Sequence, residues 1–148
     1  MSCLPAGRQG ILVSRCLILM ERINSPYENL LDMYIAEKSE GFCRIGISYR
    51  KDLTNPHGNY HGGAIASIID TAAVQGLRTI FPKGPYLTVD VNIRYKKPSN
   101  SVELFAESRP KHLKGKFFST EIKVIDKENN LVALAIVKSF LPEWKENT

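Results

Sequence analysis

The sequence is poor in the residues that build metal centres and disulfide frameworks. Its three cysteines, Cys3, Cys16 and Cys43, are an odd number with no CxxC spacing, so neither a disulfide scaffold nor a zinc site is expected and a reducing, cytoplasmic setting is the natural reading. The three histidines, His57, His61 and His112, are too scattered to suggest a metal centre, and no metal or prosthetic cofactor is expected. Long apolar runs are also missing. The stretch 11–20 is interrupted by Arg15 and is far too short to span a bilayer, and no small-residue cleavage site comes after it, so neither a membrane segment nor a signal peptide is expected. No dense basic cluster with interleaved aromatics is present, which argues against nucleic acid as a partner.

What is present fits an ordinary globular domain: 148 residues, 43% hydrophobic and 24% charged. The formal net charge is +5, of which residues 1–19 supply two through Arg8 and Arg15. The remaining excess reads either as a solvated surface or as a face that meets an anionic ligand. Residues 1–19 fall outside the periodic pattern of the rest of the chain. They are expected to be an extension, disordered or the product of a misassigned start, with the domain proper at 20–148.

From Met20 onward the periodicity is regular. Ser25-Pro26-Tyr27-Glu28 has the spacing of a capping box with proline in the first turn, so a short helix is expected there, ending near Asp32. Candidate strands lie at 33–38 and 42–49, joined as a hairpin through Ser39-Glu40-Gly41; Cys43, Ile45 and Ile47 alternate with Arg44, Gly46 and Ser48. Residues 51–60 are rich in turn formers. The stretch 61–74 is apolar nearly all round, as in a helix buried on most faces, with Ala64, Ala66, Ala72 and Ala73 permitting close approach. Four more strands are expected at 87–95, 102–108, 117–125 and 131–140. In the first of these Val89, Val91, Ile93 and Tyr95 alternate with Thr88, Asp90, Asn92 and Arg94, and the last is apolar enough to be covered on both faces. One helix among six strands is buried only if a curved antiparallel sheet wraps around it. The expected class is therefore α+β, in the hotdog arrangement.

Two features carry chemistry. Asp70 is the only charged residue between His61 and Arg78. A carboxylate in an apolar helix is costly unless paired, hydrogen-bonded or used, so it reads as a polar seam residue or as a poised base or nucleophile. The second is His61-Gly62-Gly63 at the helix start. The first amides of a helix lack internal partners and carry the positive end of its dipole, and glycines leave them unshielded, so a developing oxyanion could be held there. A plain glycine-rich turn would look the same. Asp70 lies eight residues after Gly62, about 12 Å along a helix. If both serve one reaction, they must come from different subunits, most simply across a twofold axis.

The run Asn55-Pro56-His57-Gly58-Asn59-Tyr60-His61-Gly62-Gly63, with Asp70 on the helix, resembles the phenylacetic-acid-pathway-type thioesterases of the hotdog superfamily, whose pattern is N-x-x-G-x-x-H-G-G and then an acid. The strand 87–95 with Pro98 after it is similar to the family's third strand, and the likeness extends over about residues 27–141. The resemblance implies acyl-CoA hydrolysis by a dimer or dimer of dimers. Asp70 would activate water or attack the thioester, and Gly62 would polarise its carbonyl. Asn55, His61 and Gly63 would shape the thioester pocket, and Thr88 would place a hydroxyl near Asp70. Pro56 and His57 depart from the family loop in bulk. Lys96, Lys97, Lys114 and Lys116 are candidates for the CoA phosphates, at strand ends and turns where lysines are common anyway. Two other readings are a hydratase or dehydratase on the same fold and a non-catalytic acyl-CoA-binding module. Removal of residues 1–19 is expected to leave thioester turnover intact and to shift the melting temperature by less than about 2 °C, the change that corresponds to well under 1 kcal/mol; a large drop would show that the segment packs on the domain.

Overall fold

A computed structural model describes residues 11–13, 16–18 and 20–142. Two three-residue strands, β1 (Ile11–Val13) and β2 (Cys16–Ile18), pair with each other in a ladder separate from the main sheet. The expectation about residues 1–19 otherwise lies outside the described residues.

The main sheet has seven strands: β3 (Glu21–Arg22), β4 (Tyr34–Ser39), β5 (Phe42–Ser48), β6 (Leu87–Tyr95), β7 (Glu103–Lys114), β8 (Phe117–Asp126) and β9 (Leu131–Phe140). Their order is β3-β4-β5-β7-β8-β9-β6, with every neighbouring pair antiparallel. A short helix α1 (Pro26–Leu30) precedes β4, and the long helix α2 (Gly62–Arg78) connects β5 to β6. α2 packs against β5, β7, β8 and β9. This is the hotdog arrangement. Its core joins Ile68, Ile69 and Ala72 of α2 to the inward residues of the sheet, among them Ile45, Leu104, Val124 and Val137, all fully buried.

Close approach sets how α2 seats. A Cβ built at Gly76 would lie 2.3 Å from Ser108 Oγ and 3.1 Å from Ser108 Cβ, so the helix reaches β7 only because residue 76 has no side chain. On the opposite face of the sheet the Tyr34 ring lies over Gly46, where a Cβ would come within 2.4 Å of Cζ. The phenol donates to Glu103 Oε2 at 2.8 Å.

Several sequence expectations need correction. Ser25 makes no side-chain cap on α1, so the capping box does not form, and the Glu28 carboxylate turns instead to Thr71 of α2. β7 runs on past Ser108 to Lys114, because its ladder with β8 continues through Pro110 with an irregularity at His112/Lys114. β9 is covered on one face only, leaving Leu134 and Ile136 exposed. α2 is less enclosed than its composition suggests: Gly63 is exposed, and Ala66, Ser67, Asp70 and Val74 form a half-buried stripe. Among the described residues β6 is an edge strand paired only with β9. An irregularity between Thr88 and Asp90 moves Thr88 onto the face shared by Val91, Ile93 and Tyr95, breaking the simple alternation.

Overpacking at the α2–β7 contact yields a direct prediction. Gly76→Ala should destabilise the fold by about 1–3 kcal/mol in urea unfolding. The double variant Gly76→Ala/Ser108→Ala should cost less than the sum of the singles, because the two side chains compete for one space.

Candidate active site

The loop before α2 is held from two sides. Asn55 Oδ1 accepts from the backbone N–H groups of His57 (2.9 Å) and Asn59 (3.2 Å), which curls the loop, and Gly58 supplies the positive φ of 79° that the turn requires. Tyr60 ties the loop to the connection between β6 and β7, donating its backbone N–H to Ser99 O and its hydroxyl to Ser101 O. Burial and nearby Glu103 hold the Tyr60 phenol well above its ordinary range, so it stays a donor. His61, thus anchored, is the N-cap of α2.

The His61 ring divides the two glycine amides. Its Nδ1 accepts from the Gly63 N–H at 2.8 Å, so Gly63 is spent on capping rather than offered to a ligand. A Cβ at residue 63 would meet Nδ1 at 3.0 Å, so glycine is what admits the cap. With Nδ1 as acceptor, a neutral His61 carries its proton on Nε2, facing away from the cap. The Gly62 amide opens the helix and has no intrahelical partner. A Cβ there would make only ordinary contact with the Tyr95 hydroxyl at 3.4 Å. Packing does not demand glycine at 62; its absent side chain uncovers the amide. Tyr95 fixes this end of the helix by donating its hydroxyl to Gly62 O at 2.9 Å.

Asp70 sits two turns further along, on the open stripe of α2. Thr88 Oγ1 donates to Asp70 Oδ1 at 2.6 Å, a short charge-assisted bond that fixes the carboxylate through one oxygen. The irregularity in β6 is what aims Thr88 there. Asp70 borders two adjoining clefts of about 410 and 440 Å³. The smaller is walled by Ala66, Ser67 and Thr71 of α2, by Val91 and Ile93 of β6, and by Tyr27 and Glu28 of α1. Tyr27 and Ser67 share a hydroxyl–hydroxyl bond of 2.6 Å across it. Such a site can hold a carboxylate ready to take a proton from water or to attack a carbonyl.

Of the residues singled out in the sequence, Asp70 and Thr88 are together, as are His61, Gly62 and Gly63. Asn55 shapes the loop that delivers the second group. The two groups lie at different ends of the open stripe within one chain. Sequence reasoning missed Tyr27, Glu28, Ser67 and Tyr95. Ser67, one turn before Asp70, and Tyr95, in phase with Val91 and Ile93, both carried a periodic signal; the local signal at Glu28 pointed to a helix cap rather than to Thr71. Cys43 offers no rival nucleophile, since burial pushes its thiol up to about 12 and it has no exposed surface. Among the described residues no group of three His, Cys, Asp or Glu side chains is arranged to hold a metal ion.

A model of the thioesterase superfamily matches residues 57–133, which begin within the loop after Asn55 and take in α2, Thr88 and most of the sheet. The chain belongs to the thioesterase superfamily. A protein of Archaeoglobus fulgidus whose name proposes an esterase is 30% identical over 130 residues, 87% of this chain and 82% of its own length. A Halobacterium salinarum protein with a similar name is 33% identical over 86 residues, 54% of this chain, and the match spans only 56% of that relative. The Escherichia coli PaaI protein from the phenylacetic acid degradation operon has the same fold, with a TM-score of 0.74 at 21% identity over 81% of this chain and 86% of that one. A thioesterase of Haemophilus influenzae gives 0.77 at 16% identity over 84% and 89%. Within this superfamily fold, the Thr88–Asp70 bond predicts a graded outcome for thioester turnover. Thr88→Val should lower kcat by about tenfold or more through loss of a charge-assisted bond, and Thr88→Ser should retain most of it. Thiol release under saturating substrate measures both.

Proposed function

We propose that the protein hydrolyses an acyl-CoA thioester to the free acid and CoA, at a site built between two copies of the chain. The observation that carries this reading is Asp70, fixed by Thr88 at 2.6 Å and open to a cleft, on the same helix whose first amide, Gly62, is bare. Eight residues of helix, about 12 Å, separate them, too far for one thioester carbon to touch both within a chain. In a twofold pair the Gly62 amide of one copy would polarise the thioester carbonyl. The Asp70 carboxylate of the other would take the proton of an attacking water, or attack the carbon itself. The carbonyl then re-forms as the CoA thiolate departs, giving the acid directly when water attacks, or, when Asp70 attacks, an anhydride that water then hydrolyses to the acid. With Nδ1 occupied by the Gly63 amide, a neutral His61 would keep an Nε2–H free to donate. Gly63 has a supporting part, since its amide holds His61 in place.

The edge of the sheet supports the pairing. β6 is nine residues long, lacks a neighbour on one side among the described residues and exposes Leu87, Val89, Val91 and Tyr95. A long apolar edge left open invites further strands, and a second copy of β6 would close it. That contact would also bring the open stripes of two α2 helices together. The expected solution state is a dimer or a dimer of dimers. No helix among the described residues is long and apolar enough to cross a membrane.

A hydratase would add water to an enoyl-CoA and leave the thioester intact, and a binding module would do neither. CoA-thiol release, monitored with Ellman's reagent over a panel of acyl-CoAs, separates the three. Asp70→Asn should fold as the parent does and lose about a hundredfold or more in kcat. Near-normal turnover in that variant would overturn the assignment, as would hydration of enoyl-CoA without thiol release.

A further inference from the structure

A thioester carbon has two arms, and two clefts meet at Asp70. The smaller is walled by Val91 and Ile93 of β6, the strand that the pairing would use. The larger, about 440 Å³, includes no residue of β6 and runs along the second half of α2, past Val74 and Gln75 to Arg78. Its other wall is the segment from Glu21 to Ser25, so Arg22 and Arg78 line one cleft with the reacting carboxylate. Among the described residues the Arg78 guanidinium makes no hydrogen bond or ion pair. Its Nη2 stands 3.9 Å from where a Cβ of Gly84 would be, beside a residue with no side chain to meet it. Arg22 spends only its Nε, on Asn29 Oδ1 at 3.0 Å. Apart from Asp70, the acids of this cleft are engaged: Glu21 pairs with Lys38 at 2.6 Å, and Glu28 turns Oε1 to Thr71 with Oε2 sealed from solvent. A cation in the last turn suits the helix dipole, but charge alone serves that end and does not call for a guanidinium fork on a cleft.

We propose that Arg78 determines acyl specificity, selecting thioesters whose acyl chain ends in a carboxylate, with Arg22 adding positive charge from the other wall. This rests on the thioesterase reading, with Asp70 at the reacting end of the cleft. Arg78 lies eight residues after Asp70, about 12 Å along the helix. Side chains on a helix lean towards its N-terminus, so an anion held by Arg78 lies nearer to Asp70 than that. An extended chain advances by about 1.2 Å per bond. A diacid chain of about six to ten carbons therefore spans the gap, whereas the arm of CoA, about thirteen bonds from sulfur to phosphorus, overshoots it. The methylenes pass Val74 and Ile35, and Gln75, one turn before Arg78, adds an amide to the same wall. At the end of the chain a guanidinium grips a carboxylate through two parallel N–H donors. A terminal amide of the same shape forgoes the charge, and a plain chain offers the arginines no acceptor, the kind of mismatch that separates substrates most strongly.

The test uses CoA thioesters of three lengths, adipoyl, suberoyl and sebacoyl, each beside its terminal amide and the plain acyl chain of equal carbon number. Each is assayed by thiol release with the full-length protein and with Arg78→Gln, whose fold is checked by circular dichroism. At one length or more, kcat/KM for the carboxylate should exceed that for its amide by about tenfold or more in the parent. In Arg78→Gln that ratio should collapse towards one. Comparing ratios between proteins cancels the intrinsic reactivity of each thioester. The series is repeated with pantetheine thioesters, which carry no phosphate, and the preference and its collapse should both persist there. A loss in Arg78→Gln that is equal for all three end groups overturns the proposal; if that loss is confined to the CoA thioesters, the arginine serves the CoA phosphates instead. A parent that does not prefer the carboxylate at any length also overturns it. Absence of thiol release from every substrate overturns the underlying thioesterase reading instead. If Arg78→Gln is misfolded, Arg78→Lys, which keeps the charge at the helix end, should lower the ratio severalfold because a single ammonium replaces the two-pronged contact; an unchanged ratio overturns the proposal.

Discussion

The burial of one helix by one sheet governs everything else in this fold. α2 is apolar over most of its circumference, and no second long helix among the described residues is available to cover it. The sheet must therefore bend around it, and the fit must be close, because a gap of even a methyl group sacrifices contacts on both sides. The close fit is visible where Gly76 meets Ser108, and in the run of fully buried Ile68, Ile69, Ala72 and Ala73 along the helix. A single sheet wraps only part of a cylinder. What it covers only in part is a stripe along α2 from Gly63 to Val74 and, among the described residues, the free edge of β6.

That partly covered region is where the polar chemistry collects. Asp70 lies on the stripe, and the strand irregularity in β6 turns Thr88 inward to meet it. The helix start is prepared separately: the Asn55 turn and Tyr60 place His61, His61 caps the Gly63 amide, and the Gly62 amide is left bare. Each half is rigid because its partners are backbone groups or short side chains on packed elements. Neither half can reach the other along a helix that is itself rigid. The same geometry that buries α2 thus favours a second copy, which would close the β6 edge and join the two halves in one act.

Much of this was legible in the residues. The alternation in 42–48 and the apolar run of α2 reported which elements form, and one helix among many strands left few ways to bury it. Asp70 stood out because a lone carboxylate in such a helix needs a reason. Other features depended on contacts between distant residues that no local pattern encodes. The capping signature at Ser25 and Glu28 was overridden by a tertiary bond to Thr71. The alternation in 87–95 pointed Thr88 away from Val91, and only the irregular pairing with β9 reverses it. The pair of glycines looked equivalent until the His61 ring was seen to take one amide and leave the other. The extension of β7 through Pro110 was hidden because proline and a cluster of lysines read as a turn.

The central claim is that each active site draws Gly62 from one subunit and Asp70 from its partner, and subunit complementation tests it most directly. Two inactive variants are needed: Asp70→Asn, and Gly62→Pro, in which the first-turn proline removes the amide donor while circular dichroism verifies the helix. Mixed under conditions where mass spectrometry demonstrates subunit exchange, half of the dimers become heterodimers, each with one site carrying both defects and one carrying neither. The account predicts that about a quarter of parental thiol-release activity returns. Exchange between two folded variants with no return of activity would contradict it.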